Sequence, residues 1–241
     1  MDKTAKPLGI KGYGSIQHLP GSRLGPGDHK ANKGQARLCL INNESNGREY
    51  LITVQEKLDG SNCCVARIGE DILALTRSGY LATTSKYEQH HLFAHYVRLN
   101  ANRFRDLLAN GERAVGEWLA QAHGTLYNLR HEPFVCFDLM KEHVRSVAAE
   151  VSIRCASVGL TTPVTIHTGG AYSLARVLED IKTSGHGAVG GAEGVVYRVE
   201  LDGEVRFLAK WVKGDKQDGI YLPEVSGKQA IWNWRPTSEA S

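Results

Sequence analysis

The chain has 241 residues, of which 41% are hydrophobic and 23% are charged, as expected for a globular protein with a sizeable core. Its formal net charge of +3 is too small to indicate nucleic-acid binding by itself. Five cysteines without a spacing pattern argue against a disulfide framework, and the lack of CxxC and HExxH motifs argues against structural zinc. No apolar run is long enough to span a membrane, so we expect a cytoplasmic protein with no membrane contact.

The first 37 residues form a basic, loop-rich arm. They carry seven lysine or arginine residues against two aspartates, and closely spaced glycines and prolines interrupt them. The arm either contacts phosphate groups or is a solvated terminus. Its segment 20–29 is interpreted as a loop that folds over a nucleotide or a nucleic-acid end, or else as a mobile surface loop.

Alternating apolar residues and intervening turn residues predict strands over most of the remaining chain. The predicted strands cover residues 38–41, 48–57, 62–68, 71–77, 113–119, 134–140, 163–167, 193–198 and 206–213. Helical periodicity covers residues 88–110, 144–158 and 172–183. No linker or repeat divides the chain. The pattern predicts one α+β domain, residues 1–241, in which antiparallel sheets are flanked by these three helices.

Charged side chains gather at the ends of the predicted strands. Lys57 ends one strand and is followed by Asp59 and a glycine turn, and Glu193 opens a later strand. Arg77, Glu117, Lys210 and Lys213 lie at other strand ends. A lysine nucleophile, acids for a divalent metal ion and additional cations are together suited to attack on phosphorus.

A free lysine amine is protonated at neutral pH, so Lys57 needs a lowered pKa to act as a nucleophile. A decrease of about three pKa units corresponds to about 4 kcal/mol of differential interaction. We expect Lys210, Lys213 and a metal ion to supply it, because nearby positive charge disfavours the ammonium form. The same cations would stabilise negative charge on the phosphate in the transition state.

Six segments, in order, resemble the motifs of the covalent nucleotidyltransferases, which include ATP-dependent RNA and DNA ligases and mRNA capping enzymes. Residues 57–60 match the nucleophile motif KxDG, and the extension through Ser61 and Asn62 favours the RNA ligase branch. The other matching segments are residues 76–79 (TRSG), 116–118 (GEW), 134–138 (FVCFD), 193–198 (EGVVYR) and 209–213 (AKWVK). The resemblance implies an ATP-grasp-like nucleotidyltransferase domain, the adenylation domain of ligases.

The resemblance implies a role for each matching side chain. Lys57 is the nucleophile, and Glu193 organises Mg²⁺ or Mn²⁺ through water molecules. The remaining ATP contacts are expected from Glu56 at the adenine edge, Asp59 and Asn62 beside the lysine, Arg77 and Glu117 at the ribose, Phe137 at the adenine, and Lys210 and Lys213 at the α-phosphate.

Some of these residues have structural alternatives. Arg77 and Glu117 alternatively form an ion pair, Phe137 alternatively belongs to the core, and Asp59 alternatively caps a turn. The four tryptophans are candidates for base stacking, but we interpret them as core or tail residues. His91 and His95 lie four residues apart on a predicted helix and are interpreted as surface or packing residues.

Two departures from the family pattern affect the prediction. The family motif is usually KxK, whereas Lys210 and Lys213 are spaced KxxK and lie on opposite faces of a regular strand. Either a bulge redirects one lysine, or Lys213 contacts RNA rather than AMP. Residues 214–241 form only a short polar tail, too short for the OB domain of DNA ligases and capping enzymes.

The resemblance therefore implies an ATP-dependent RNA ligase that forms a lysyl-AMP intermediate and joins an RNA 5′-phosphate to a 3′-hydroxyl. The absence of a second domain leaves room for a protein partner that supplies further RNA contacts. Two alternatives stay open: an adenylyltransferase that activates RNA 5′ ends, or another acceptor, without sealing, and a catalytically silent nucleic-acid-binding relative.

Overall fold

Two five-stranded sheets form the frame of the chain, in a computed structural model that describes residues 5–236. Residues 1–4 and 237–241, the two ends of the predicted arm and tail, lie outside the described part. The predicted α+β class with antiparallel sheets is confirmed.

The first sheet consists of one parallel and three antiparallel strand pairs. Its strands, in spatial order, are β1 (Gln17–His18), β12 (Glu204–Val212), β11 (Gly194–Leu201), β4 (Leu51–Lys57) and β10 (Thr165–Gly169). The pairing of β1 with β12 is the parallel one, so the basic arm contributes an edge strand to this sheet.

The second sheet is antiparallel throughout. Its strands, in spatial order, are β6 (Asp71–Thr76), β5 (Ser61–Ile68), β7 (Glu112–Trp118), β8 (Phe134–Lys141) and β9 (Val144–Arg145). A separate hairpin joins β2 (Glu44–Ser45) to β3 (Arg48–Glu49). The consecutive strand pairs β5–β6 and β11–β12 each form an antiparallel hairpin. The turn of the second has positive φ at Asp202 and Gly203, as a type I′ turn requires.

Helices cover the outer face of each sheet. They are α1 (Lys33–Leu40), α2 (Glu88–Leu99), α3 (Ala101–Leu107), α4 (Ala148–Ser157), α5 (Leu174–Asp180) and the single turn α6 (Pro223–Ser226). Helices α2, α3 and α4 pack on the second sheet around Phe93 and Phe134, and α1 and α5 pack on the first around Ile52. A smaller cluster, with Val115 and Leu208, joins the inner faces of the two sheets.

The prediction of a strand over residues 38–41 is wrong, because the segment belongs to α1. Asn32 caps this helix: its side chain accepts a hydrogen bond from the Gln35 amide at 2.9 Å, and the Gln35 side chain accepts one from the Asn32 amide. This reciprocal capping box satisfies two amides that have no partner inside the helix. The short apolar run 38–41 has a strand-like pattern, but the capping signal of Asn32 and Gln35 precedes it and favours a helix.

The predicted helices are also shorter and more numerous in the structure. The helix predicted over residues 88–110 divides at Asn100 into α2 and α3. The helix predicted over residues 144–158 begins only at Ala148, because Val144 and Arg145 pair with β8 as an edge strand. Residues 5–236 contain six α-helices rather than three.

The connection from β4 to β5 positions the site. Strand β4 ends at Lys57 in the first sheet, and β5 begins at Ser61 in the second. Residues 58–60 therefore carry the chain from one sheet to the other, and Lys57 lies where the sheets meet. In the described residues 5–236, no helix combines the length and apolarity needed to cross a membrane.

Candidate active site

The Lys57 amine lies against a carboxylate from the neighbouring strand. Lys57 Nζ is 2.5 Å from Glu193 Oε2 and donates a second hydrogen bond to the Leu58 carbonyl at 3.2 Å. The β4–β11 register pairs Lys57 with Gly194, the residue after Glu193. This pairing brings together two side chains that are 136 positions apart in sequence.

Two glycines permit this close arrangement of strands. A Cβ atom at Gly60 would lie 2.5 Å from the Trp118 carbonyl oxygen, and one at Gly194 would collide with the Trp211 backbone. The glycines of the KxDG and EGVVYR segments are therefore required for the backbone packing around the lysine.

The expectation that neighbouring cations lower the pKa of Lys57 is wrong for this state of the chain. Burial disfavours the ammonium form, but Glu193, Glu117 and Asp59 outweigh burial and raise the pKa of Lys57 above its ordinary value. The amine is therefore held as an ammonium ion paired with Glu193. Nucleophilic attack requires this ion pair to be broken.

A Glu193→Gln substitution is expected to lower the pKa of Lys57, because it removes the strongest of the acids that hold its proton. Acetylation of each lysine by trace acetic anhydride, followed across pH by mass spectrometry, measures this value. The midpoint for Lys57 should shift to lower pH by about one unit or more. The exposed Lys182, paired with Glu179, serves as an internal control and should be unchanged. An unshifted Lys57 midpoint would contradict the proposed ion pair.

Glu117 and Asp59 take different roles beside the lysine. Glu117 accepts a hydrogen bond from the Gly60 amide at 3.0 Å, and burial raises its pKa to about 7 despite the opposing effect of Lys57. Asp59 accepts hydrogen bonds from the Gly124 amide at 2.9 Å and from Lys216 Nζ at 2.6 Å. Burial alone would raise the pKa of Asp59, but Lys216 and Lys57 hold it below its ordinary value.

Asp59 is thus tied to a loop and to a lysine that the sequence did not single out. Lys216 lies beyond the last predicted strand and also contacts the Thr125 hydroxyl. The predicted alternative in which Asp59 stabilises a turn agrees with its bond to the Gly124 amide.

A cavity beside Lys57, which we call the first cavity, is lined by both polar and apolar residues. Seven of the ten predicted residues line it: Glu56, Lys57, Asn62, Arg77, Glu117, Phe137 and Lys210. Apolar residues that the sequence did not identify complete its walls: Tyr13, Ile16, Pro163, Val196 and Leu208. Apolar walls with a few polar groups are typical of small-molecule sites.

Phe137 and Glu56 both line the first cavity. Phe137 packs against the core between the sheets, as its structural alternative predicted, and also lines the cavity; its contact with adenine stays a prediction. The ring of Tyr13 meets that of Phe137 edge-on, with 5.3 Å between ring centroids. Glu56 is buried, and its carboxylate accepts hydrogen bonds from the Ser184 hydroxyl and the Gly185 amide.

Arg77 and Asn62, two further predicted residues, also line the first cavity. Arg77 donates to the Gly14 carbonyl at 3.3 Å and to the Ser15 hydroxyl at 3.2 Å, so the alternative ion pair between Arg77 and Glu117 is not formed. Asn62 lines the cavity with a buried side-chain oxygen that has no hydrogen-bond partner in the described part of the chain.

Lys210 and Lys213 are directed to different places. Lys210 pairs with Val196 in the β11–β12 ladder and lines the first cavity, whereas Lys213 lies just beyond β12 in a groove formed with Gly190 and Lys216. The ladder is regular here, because its register shift lies near Val199 instead. The bulge alternative for the KxxK spacing is therefore wrong.

A second cavity adjoins the first, and the basic arm lines one side of it. Lys57, Glu117 and Lys210 border both cavities. The second cavity also contains Asp59 and Glu193, together with Gly25 and three larger residues of the arm: His18, Arg23 and Asp28. The sequence predicted that the arm contacts phosphate groups or is a solvated terminus, but it singled out none of these three residues.

The arm is attached to both sheets. The Leu19 amide donates to the Lys210 carbonyl at 2.8 Å in the first sheet, and the Tyr13 amide donates to the Arg77 carbonyl at 3.2 Å beside the second. Asp28 Oδ1 is 3.6 Å from Lys210 Nζ. Segment 20–29 therefore lies beside the second cavity, and its folding over a nucleotide or a nucleic-acid end stays a prediction.

Other minor predictions can be compared with the structure. Trp118 and Trp211 are buried, and Trp232 and Trp234 pack against the core of the second sheet, so the packing interpretation of the tryptophans is confirmed. All five cysteines are buried and unpaired. Residues 5–236 contain no cluster of three histidine, cysteine, aspartate or glutamate side chains arranged to hold a metal ion.

The fold and the cleft define a protein of the nucleotidyltransferase class, with a lysine where its two sheets meet. The chain belongs to the RNA ligase family, because the family model for RNA ligase matches residues 51–212. A comparison with curated proteins found no match.

Solved structures of RNA ligases share this fold. An archaeal ATP-dependent RNA ligase superposes with a TM-score of 0.54 at 19% identity, covering 85% of this chain and 48% of that one. A Naegleria gruberi RNA ligase mutant solved with ATP and Mn gives a TM-score of 0.51 at 17% identity, covering 69% of this chain and 50% of that one. The chain thus spans about half the length of these two proteins.

Proposed function

We propose that the chain is an ATP-dependent RNA ligase that works through a lysyl-AMP intermediate. The observation that carries this proposal is the position of Lys57, a half-buried amine at the border of two cavities, beside Glu193 and Lys210. Membership of the RNA ligase family and the ATP bound to the Naegleria gruberi relative support this choice of nucleotide.

The proposed first step is transfer of AMP to Lys57. The Lys57 ammonium loses a proton to solvent, and its nitrogen forms a bond to the α-phosphorus of ATP as the bond to the pyrophosphate oxygen breaks. The nitrogen then releases a second proton to solvent, which leaves a phosphoramidate. Apolar walls of the first cavity hold the nucleoside, and Lys210 at the cavity border faces the α-phosphate. Burial and the nearby Lys57 lower the pKa of Lys210, which still carries a positive charge through its pairing with Asp28.

The second and third steps use RNA. An oxygen of an RNA 5′-phosphate attacks the α-phosphorus, the bond from phosphorus to the Lys57 nitrogen breaks, and that nitrogen takes up two protons from solvent to become an ammonium again. A 3′-hydroxyl oxygen then attacks the 5′-phosphorus, loses its proton and displaces AMP. The RNA partner thus requires a 5′-phosphate and a 3′-hydroxyl, and a protein partner would add contacts to the rest of the strand.

The residues around Lys57 fit a divalent cation such as Mg²⁺ or Mn²⁺. Glu193, Glu117 and Asp59 present only oxygen donors, which these ions prefer. Because the described residues form no three-ligand cluster, Glu193 would hold the ion together with water and phosphate oxygens. When bound, the ion neutralises phosphate charge. Mn accompanies ATP in the Naegleria gruberi structure.

Incubation with α-labelled ATP and magnesium tests the proposal. The protein should acquire an acid-labile label, as expected for a phosphoramidate, and addition of 5′-phosphorylated RNA should move the label to RNA and then release it as AMP with a joined product. RNA that carries AMP on its 5′-phosphate but is not joined would favour an adenylyltransferase that does not seal. No label with any nucleotide would favour a catalytically silent relative and overturn the proposal.

The two lysines of the KxxK segment are expected to differ in their effects on AMP transfer. Lys210→Ala should slow labelling of the protein by about a hundredfold or more, because it removes a cation beside the α-phosphate. Lys213→Ala should change this step by less than about threefold, since its side chain lies outside both cavities. Single-turnover labelling of the two variants measures the difference. Equal losses would show that Lys213 reaches AMP.

A further inference from the structure

The second cavity is the space into which a chain of phosphates must extend. Under the proposed function, the nucleoside of ATP fills the first cavity, and the α-phosphate lies at the border formed by Lys57 and Lys210. The phosphate bonded to the α-phosphorus then lies in the second cavity, because the nucleoside occupies the first. This inference therefore rests on the proposed function.

Arg23 is fixed at the mouth of this second cavity by the strand that carries Lys210. The Arg23 amide donates to the Val212 carbonyl at 3.1 Å, and the Ser22 hydroxyl accepts a hydrogen bond from the Val212 amide at 3.0 Å. Val212 ends β12 and is two residues after Lys210. The arm thus places a guanidinium close to the phosphate-facing lysine.

The guanidinium of Arg23 is held by an acid that a ligand can displace. Arg23 Nη1 donates to Asp218 Oδ2 at 2.6 Å, and the side chains of Arg23 and Asp218 are 32% and 64% exposed. Ion pairs at such exposed positions typically contribute only about 0–1 kcal/mol. A phosphate group carries more charge than a carboxylate and offers more acceptor oxygens, so it can replace Asp218.

The other cations of the second cavity are engaged elsewhere. Lys57 is the nucleophile and pairs with Glu193, and Lys210 lines the first cavity and pairs with Asp28. The lining also contains several carboxylates, so a phosphate enters this space together with a divalent cation. Arg23 lines the second cavity, is always positively charged and is partly exposed. Unlike Lys57 and Lys210, it is not assigned to the α-phosphate.

We propose that Arg23 binds the phosphate group on the far side of the α-phosphorus from Lys57. Two groups occupy that position in turn: the β-phosphate of ATP, which leaves as pyrophosphate, and the 5′-phosphate of RNA, which then attacks. In-line displacement places both opposite the Lys57 nitrogen, so one residue can serve both steps. The Asp218 carboxylate stays paired with the Arg23 guanidinium until a phosphate replaces it.

The experiment compares Arg23→Gln and Asp218→Asn with the wild type and with Arg48→Gln. Arg48 forms an exposed surface pair with Asp202 and lines neither cavity, which makes it a suitable control. One arm measures labelling by α-labelled ATP without RNA. A second arm measures single-turnover AMP transfer from purified adenylated protein to 5′-phosphorylated RNA. Calorimetry with magnesium pyrophosphate measures binding directly.

Arg23→Gln should slow at least one arm by about tenfold or more and weaken pyrophosphate binding, while Arg48→Gln stays within about twofold of wild type. Loss in the first arm alone assigns Arg23 to pyrophosphate, loss in the second alone assigns it to the RNA 5′-phosphate, and loss in both assigns it to both. Asp218→Asn should strengthen pyrophosphate binding, because it frees the guanidinium.

Two results would overturn the inference while the proposed function stands. The first is an active wild type with Arg23→Gln within about twofold of it in both arms. The second is an equal loss in Arg23→Gln and Asp218→Asn, which would make the ion pair a structural brace. A wild type that forms no adduct with any nucleotide is a different result, and it would overturn the proposed function together with this inference.

Discussion

Replacement of Lys57 by arginine is expected to abolish covalent labelling by α-labelled ATP, with a loss of at least about a thousandfold. Arginine keeps the positive charge that pairs with Glu193, so the ion pair and the fold should persist. Its guanidinium cannot lose a proton at accessible pH and therefore cannot form the bond to phosphorus. Labelling followed by denaturing electrophoresis measures the loss.

The matched control for this variant is Lys182→Arg, an exposed lysine paired with Glu179 outside both cavities. It should label at the wild-type rate. Thermal unfolding of Lys57→Arg, within a few degrees of the wild type, would show that the loss is chemical and not structural. Residual labelling of Lys57→Arg above about one hundredth of the wild-type rate would place the nucleophile at another residue.

Replacement of Asp138 by alanine is expected to destabilise the fold by about 3–5 kcal/mol. Asp138 is completely buried and accepts hydrogen bonds from Tyr13 at 3.0 Å, from Arg145 at 3.0 Å and from Arg198 at 3.3 Å. Its removal leaves the guanidinium of Arg198, itself 4% exposed, without its carboxylate partner. Urea unfolding measures the change in the free energy of unfolding.

The same substitution should loosen the first cavity. Tyr13 belongs to the arm, Asp138 to β8 and Arg198 to β11, so the carboxylate connects the arm to both sheets. The control is Glu179→Ala, which breaks an exposed pair and should change stability by less than about 0.5 kcal/mol. A loss below about 1 kcal/mol for Asp138→Ala would show that water or another acceptor replaces the carboxylate.

The order of motifs along the chain was sufficient to predict the family, the α+β class and seven of the residues that line the first cavity. Each motif joins a strand end to a side chain whose chemistry is evident locally, as with Lys57 before its glycine turn. Strand periodicity extends over only a few residues, and it predicted most of the strands correctly. It failed at α1, where the local capping signal of Asn32 and Gln35 outweighed a short apolar run.

Only the tertiary structure decided the protonation state of Lys57 and the separation of Lys210 from Lys213. The pKa of Lys57 depends on its distance from Glu193, which the pairing of β4 with β11 sets across 136 residues. The loop containing Arg23 has no periodicity, so only its contacts with β12 place it at the cavity. Distances between strands arise from register and packing, whereas a sequence motif carries only the chemistry and spacing of neighbouring residues.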